Sequence, residues 1–236
     1  FAMGLDPRYG PTIGIALNAR DVVIHPNDLD APAEPFDSVT FSGWSAPLYG
    51  ALGIDRLMAR KGDAVVETAG RIDMLQAGLG IQMTVAGQGV SADDLKRLWP
   101  YVTGEESRDW FVANVTDGEV VRSHMEFNFP VGTLGLEGED KPIPPGAMQI
   151  EMVGRGVAIR PTPDMTPILI EGETRLEVDD SDMVVSGEGG TIATGSGDIT
   201  VQNPALVMDN SSPEESIFEI SGDIVAPIPA LLDLVR

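Results

Sequence analysis

The chain has 236 residues, 42% of them apolar, and its 15 Lys and Arg against 37 Asp and Glu give a formal charge of −22. That charge repels phosphate backbones and leaves no basic stripe to hold one, which excludes nucleic acid as a partner; it equally opposes lying flat on an anionic membrane, where polybasic segments bind. With no cysteine there is no disulfide framework, no thiolate nucleophile and no Cys-ligated metal site.

A chain of this length supports one all-β domain with one core, and its 27 Gly and 18 Pro, spread along the sequence, fit many short strands joined by turns. No apolar run approaches the about 18 residues of a membrane helix, and no leader pattern opens the chain. Phe1-Ala2-Met3 reads as a candidate cloning remnant, and residues 227–236 begin a helix-like pattern. The expectation is a soluble piece of a longer protein, with residues 4–236 forming one β-rich domain, a helical insert at about 91–115 and a candidate loop break at 139–146, around the Pro-rich 141–146 segment.

Period-two alternation predicts strands over 12–17, 21–24, 38–41, 52–59, 64–74, 79–85, 119–129, 147–160, 167–178, 183–194, 198–201, 205–208 and 216–224. Turn-forming residues at 61–63, 87–89, 171–174, 179–182 and 186–190 join them as hairpins. The fold expected is therefore mainly β: a meandering antiparallel sheet, strongly curved and groove-like, with two or three short helices. A closed β-sandwich is the alternative. In the clearest strands, Leu79, Ile81, Met83 and Val85 share one face, as do Met125, Phe127 and Phe129, and Met148, Ile150 and Met152.

Two islands break the alternation with helical spacing. In the first, Leu95, Leu98 and Trp99 stand at i, i+3 and i+4, Ser91 is the N-cap with Asp94 at the capping-box position, and Pro100 ends the run. In the second, Trp110, Phe111, Ala113 and Asn114 precede Asp117-Gly118, which returns the chain to a strand. Leu98-Trp99-Pro100, Arg108-x-Trp110 and Asn114-Val-x-x-Gly118 together resemble the motif of the large bacterial AsmA-like proteins, a superfamily that includes bridge-like lipid transporters of the envelope. The motif covers roughly a tenth of the chain, and the strand pattern extends it loosely.

That resemblance implies a long curved sheet whose apolar inner face passes phospholipid acyl chains between the inner and outer membranes. It implies a noncatalytic periplasmic segment, anchored at the inner membrane through a helix outside this sequence. The partners implied are phospholipid acyl chains, neighbouring segments of the same long chain and envelope or outer-membrane proteins, with no cofactor. Under this reading Leu79, Ile81, Met83, Val85, Met125, Phe127, Phe129, Met148, Ile150 and Met152 line the groove; in a sandwich they are ordinary core. Leu98, Trp99, Pro100, Arg108, Trp110, Asn114 and Gly118 take structural roles, two tryptophans at helical positions being core anchors more often than ligand contacts.

Chemistry finds little footing. His25 and His124 fall in different strands with no Ser or Cys at motif spacing, and His124 reads as a solvent-facing strand residue. Asp179, Asp180 and Asp182, or Asp28 and Asp30, offer oxygen ligands for calcium without the glycine and distal glutamate of an EF-hand, and Gly195-Ser-Gly-Asp198 is a lone echo of a calcium-binding nonapeptide. A carboxylate pair for glycan hydrolysis would need acids from distant strands, and carbohydrate clefts lean on aromatics that make up 6% of this chain. The expectation is no enzyme and no metal site. The runner-up function is a β-sandwich scaffold or adhesion module that binds protein or glycan partners.

Overall fold

The structure is a computed structural model that describes residues 2–27, 29–99, 105–135, 141, 144–160, 166–180, 182–209 and 217–234. Its elements in chain order are β1 (Ala2–Asp6), β2 (Gly10–Val23), β3 (Pro35–Ala46), β4 (Ala51–Lys61), β5 (Ala64–Leu75), β6 (Gly78–Gln88) and β7 (Val90–Ser91). Then come α1 (Ala92–Leu98), α2 (Glu105–Asn114), β8 (Val115–Leu134), β9 (Met148–Ile159), β10 (Ile168–Asp179), β11 (Asp182–Thr194), β12 (Gly197–Asp209), β13 (Ile217–Val225) and α3 (Ile228–Leu234).

All the strands belong to one antiparallel sheet of 13 strands, in which each long strand pairs with the next in sequence; the short β7 pairs β8 beside this path. The sheet is open, so the closed sandwich is overturned. The reason is local: hairpin turns return each strand to its predecessor's edge, and no crossover carries the chain to a second sheet. Register shifts interrupt seven of the strand pairings, among them β3–β4, β4–β5, β8–β9 and β12–β13, and each such bulge bends its strand and increases its twist.

Register keeps apolar residues opposite apolar residues almost from edge to edge. One row runs Leu17, Phe41, Leu57, Thr68, Val85, Met125, Ile150, Val178, Met183, Met208, each directly opposite the next across β2 to β12 with β7 outside the row. Directly opposed residues point to the same side, so this row lies on one face. The other face is polar: Thr84, Glu126 and Gln149 form the neighbouring row and are exposed.

Two predicted strand pairs prove to be single strands. The segments 12–17 and 21–24 both fall largely in β2, which runs through Asp21 at φ 52°; 198–201 and 205–208 are both in β12, which runs through Asn203 at φ 48°. Asp and Asn tolerate the left-handed conformation better than most residues do, and at Asn203 the pairing with β13 also shifts register. Across Asn203 the buried positions change parity, from Ile199 and Val201 to Leu206 and Met208. Ala2 and Met3, placed in the candidate remnant, are the first rungs of β1, opposite Gly14 and Ile13. Half of the proposed loop break at 139–146 falls outside the described residues; Lys141 and residues 144–147, between β8 and β9, have no strand structure.

Candidate functional site

All ten residues expected to line a groove lie on the apolar face. Ile81, Met83 and Val85 stand opposite Phe129, Phe127 and Met125, while Met125 and Phe127 stand opposite Ile150 and Met148; Leu79 pairs with Leu134 and Met152 with Ser123. Ile81, Phe129, Ile150 and Met152 are buried, and Leu79, Met83, Val85, Met125, Phe127 and Met148 are half-buried. Ile81 and Phe129 pack with Ala147, and Met83, Phe127, Leu134 and Met148 lie against that cluster. Phe127 and Phe129 also touch as tilted rings, with centroids 6.0 Å apart.

The middle of this face is roofed by α1 and α2. Leu95 of α1 and Phe111 of α2 join Val90, Ala92, Val115, Ile150 and Met152 in one buried cluster. At the far end Ala230 of α3 joins Ile192, Ile199 and Val201. Toward the edges the apolar side chains are bare. Met3, Leu5 and Leu17 are exposed at the β1–β2 edge, Leu17 to 60%, and Ile220 and Ile224 are exposed on β13, Ile220 to 57%. Ile220 stands opposite the buried Leu206 and Ile224 opposite the buried Val201, which puts both on the face that the core uses.

The residues of the two helical islands build the roof. Ser91 caps α1 by accepting from the Asp94 backbone N–H at 3.1 Å and donating its hydroxyl to Asp94 Oδ2 at 2.9 Å. Asp94 Oδ1 in turn accepts from Lys61 Nζ at 2.8 Å and Arg97 Nη1 at 3.1 Å; Lys61 reaches on to Glu34, and Arg97 Nη2 donates to the Pro32 carbonyl at 2.9 Å. This network, buried at Asp94 and Arg97 and exposed at Glu34, rivets α1 to β4 and to the segment before β3. Leu98 packs on the cluster, and Trp99 ends α1 and lies against Phe111 with centroids 5.7 Å apart. Pro100 lies outside the described residues.

Arg108 is 1% exposed, with Nη1 3.8 Å from Asp109 Oδ1. Asn114 closes α2 by donating Nδ2 to the Trp110 carbonyl at 2.7 Å, and its own carbonyl accepts from the Arg160 N–H at 2.7 Å. Gly118, the fourth residue of β8, has φ 138°, and a Cβ there would sit 3.1 Å from Val157, so the position favours glycine.

Beneath α2 is a cavity of about 60 Å³. Its floor is the sheet face at Val120, Met152, Thr174 and Leu176, and its roof is Ala92, Trp110 and Phe111. Sequence reasoning missed this space, because the residues that make it are spread from 92 to 185 and its existence depends on how far α2 stands off the sheet.

Among the described residues the candidate chemical groups do not converge, and Asp28 lies outside them. His124 is exposed with Nε2 3.0 Å from Glu126 Oε1 on the polar face. Asp180 does not act as an open calcium ligand. It sits at φ 56° and its carboxylate accepts from the backbone N–H groups of Gly146, Ala147 and Met148 at 2.6, 2.9 and 3.0 Å, fixing the start of β9. Among the described residues no group of three or more His, Asp or Glu could hold a metal ion, and no helix is long and apolar enough to cross a membrane.

A second cluster went unread in the sequence. On the polar face Tyr9, Trp44 and Tyr49 pack with Ala46 and Ala51, the Tyr9 and Trp44 rings 4.9 Å apart, and the Arg71 guanidinium stands 5.5 Å from the Tyr9 ring. No family model, no curated protein and no solved structure matches the chain.

Proposed function

We propose that this chain is a noncatalytic periplasmic segment of an AsmA-like envelope protein and that its apolar sheet face carries phospholipid acyl chains. The observation that carries the reading is the extent of that face. It continues through strand after strand, is roofed by helices at the centre and is left bare toward both edges, at Leu17 and at Ile220. A protein that needed only a core would have little use for apolar side chains past the last covering element. The family motif adds support from the sequence, since its residues build the roof over the same face.

The energetics suit passage along a strip. Each buried methylene gains about 0.8 kcal/mol, so one acyl chain gains on the order of 10 kcal/mol gross. On a face lined by Leu, Ile, Val, Met and Phe that gain varies little with register, and methionine adapts to many chain geometries. A chain can therefore shift along the face while its headgroup stays in water. The neighbouring segments of the longer protein would pair with the open edges, and envelope proteins would meet its ends.

Lipid extracted from the purified protein and counted by mass spectrometry tests this. Leu17→Asp and Ile220→Asp replace exposed side chains, so they should lower the phospholipid recovered per chain while the melting temperature holds. Protein that carries no phospholipid, or equal lipid in both variants and the wild type, contradicts the reading.

A further inference from the structure

We infer that the cavity beneath α2 seats the methyl end of an acyl chain; this rests on the acyl-chain reading of the apolar face and assigns one place on it. The cavity adjoins the strip. Met152 belongs both to the ten face residues and to the cavity floor, and it packs in the same buried cluster as Ile150, with Met125, Phe127 and Met148 against that cluster. A chain lying along Phe127 and Met125 thus points its end at Met152 and the space behind it.

Size and chemistry select the end of the chain. A volume of about 60 Å³ lies between the 10–15 Å³ that admits a water and the 150 Å³ of an apolar cavity that takes benzene, which suits the last few carbons of an alkyl chain. Thr174 is 5% exposed and its Oγ1 has no hydrogen-bond partner among the described residues. A buried water makes about three hydrogen bonds, and the one buried hydroxyl of the floor does not supply them. Besides Thr174 and the indole N–H of Trp110, the polar side chains at the cavity are the exposed carboxylates Asp117 and Glu119, which repel an anionic headgroup. What remains is an uncharged end that asks for no hydrogen bonds.

Trp110 in the roof makes the site readable, because bromine on an acyl chain quenches a tryptophan it touches. The protein with Trp44→Phe and Trp99→Phe leaves Trp110 as the reporter. A companion with all three tryptophans replaced by Phe and Met83→Trp reports the strip instead. Stearic acid brominated near the methyl end should cost Trp110 more fluorescence than stearic acid brominated near the carboxylate. Thr174→Val should preserve that loss, and Ala92→Leu, which fills the cavity, should remove it while quenching at residue 83 persists.

Quenching at residue 83 without quenching of Trp110 overturns the chain-end seat and leaves the acyl-bearing face standing. Silence at both positions overturns both. Equal loss from the two brominated acids, or loss abolished by Thr174→Val, overturns the assignment of the methyl end. Near-ultraviolet circular dichroism of each variant identifies any that has lost its packing, and Thr174→Val, nearly isosteric, keeps the test decisive if Ala92→Leu does not fold.

Discussion

Met83 on β6 stands directly opposite Phe127 on β8, and one residue along, Gln82 stands opposite Asn128 and donates to it at 3.2 Å. The two faces of the sheet therefore diverge within a single step of backbone. Apolar side chains dominate one side, and here a hydrogen bond lies on the other. Covering the apolar side is the problem that α1 and α2 solve at the centre and α3 in part at the far end, while Leu17 and Ile220 stay exposed.

The roof depends on Asp94. Its carboxylate is buried between Lys61 and Arg97, so Asp94→Ala leaves those cations without their shared partner and should destabilise the protein by about 3–5 kcal/mol. Ser91→Ala removes the cap alone and should cost about 1 kcal/mol. Urea unfolding of the two variants beside the wild type measures both.

The same network sets a pH window. Burial pulls the Lys61 ammonium down, but its hydrogen bonds to Asp94 and Glu34 and their charges outweigh this and hold it above the ordinary 10.5. Lys61 stabilisation is therefore present in full below 10.5 and is lost as pH rises through the higher folded value. Glu34 is held below 4.5 by its hydrogen bond from Lys61 and by that charge, so its contribution is present above 4.5 and is lost as pH falls through the lower folded value. Melting temperatures across pH should decline at both ends, and Lys61→Met should flatten the decline above 10.5.

Asp180 ties the β10–β11 turn to the start of β9 through three backbone N–H donors. Asp180→Ala should cost about 2–3 kcal/mol, as loss of charge-assisted hydrogen bonds does, with Asp180→Asn recovering part of it. Because the carboxylate is already used, calcium should leave the melting temperature unchanged. Thermal scans with and without calcium check both statements.

A Cβ on Gly53 would sit 2.1 Å from Trp44 Cε2. Gly53→Ala must therefore push the indole off its place beside Tyr9 and should destabilise by about 1–3 kcal/mol. The loss should appear in the near-ultraviolet circular dichroism of the aromatic cluster while the far-ultraviolet spectrum of the sheet persists.

Much of the fold could be read from the chain because alternation is a direct imprint of a one-sided sheet. The face of Leu79 to Val85 and of Met125 to Phe129 needed nothing more, and the Ser91 cap with Asp94 followed from spacing. Alternation failed at left-handed residues inside strands, at Asp21 in β2 and at Asn203 in β12, where a bulge also shifts the phase, so β2 and β12 were each divided. It also failed for Trp44, whose cluster mates Tyr9 and Tyr49 come from separate turns and meet it on the side that parity marks as polar, with Arg71 over the Tyr9 ring. The closed sandwich was a fair reading of the same pattern. Sheet number depends on which strands pair, and alternation within a strand does not carry that information.

Photocrosslinking from residue 83 or residue 127 in the full-length protein in cells, with residues 82 and 126 as controls on the polar face, tests the central claim most directly. Phospholipid adducts from 83 and 127, absent from 82 and 126, are the predicted result. Adducts confined to the protein's own side chains would contradict the claim, and the apolar face would then be closed core in a scaffold.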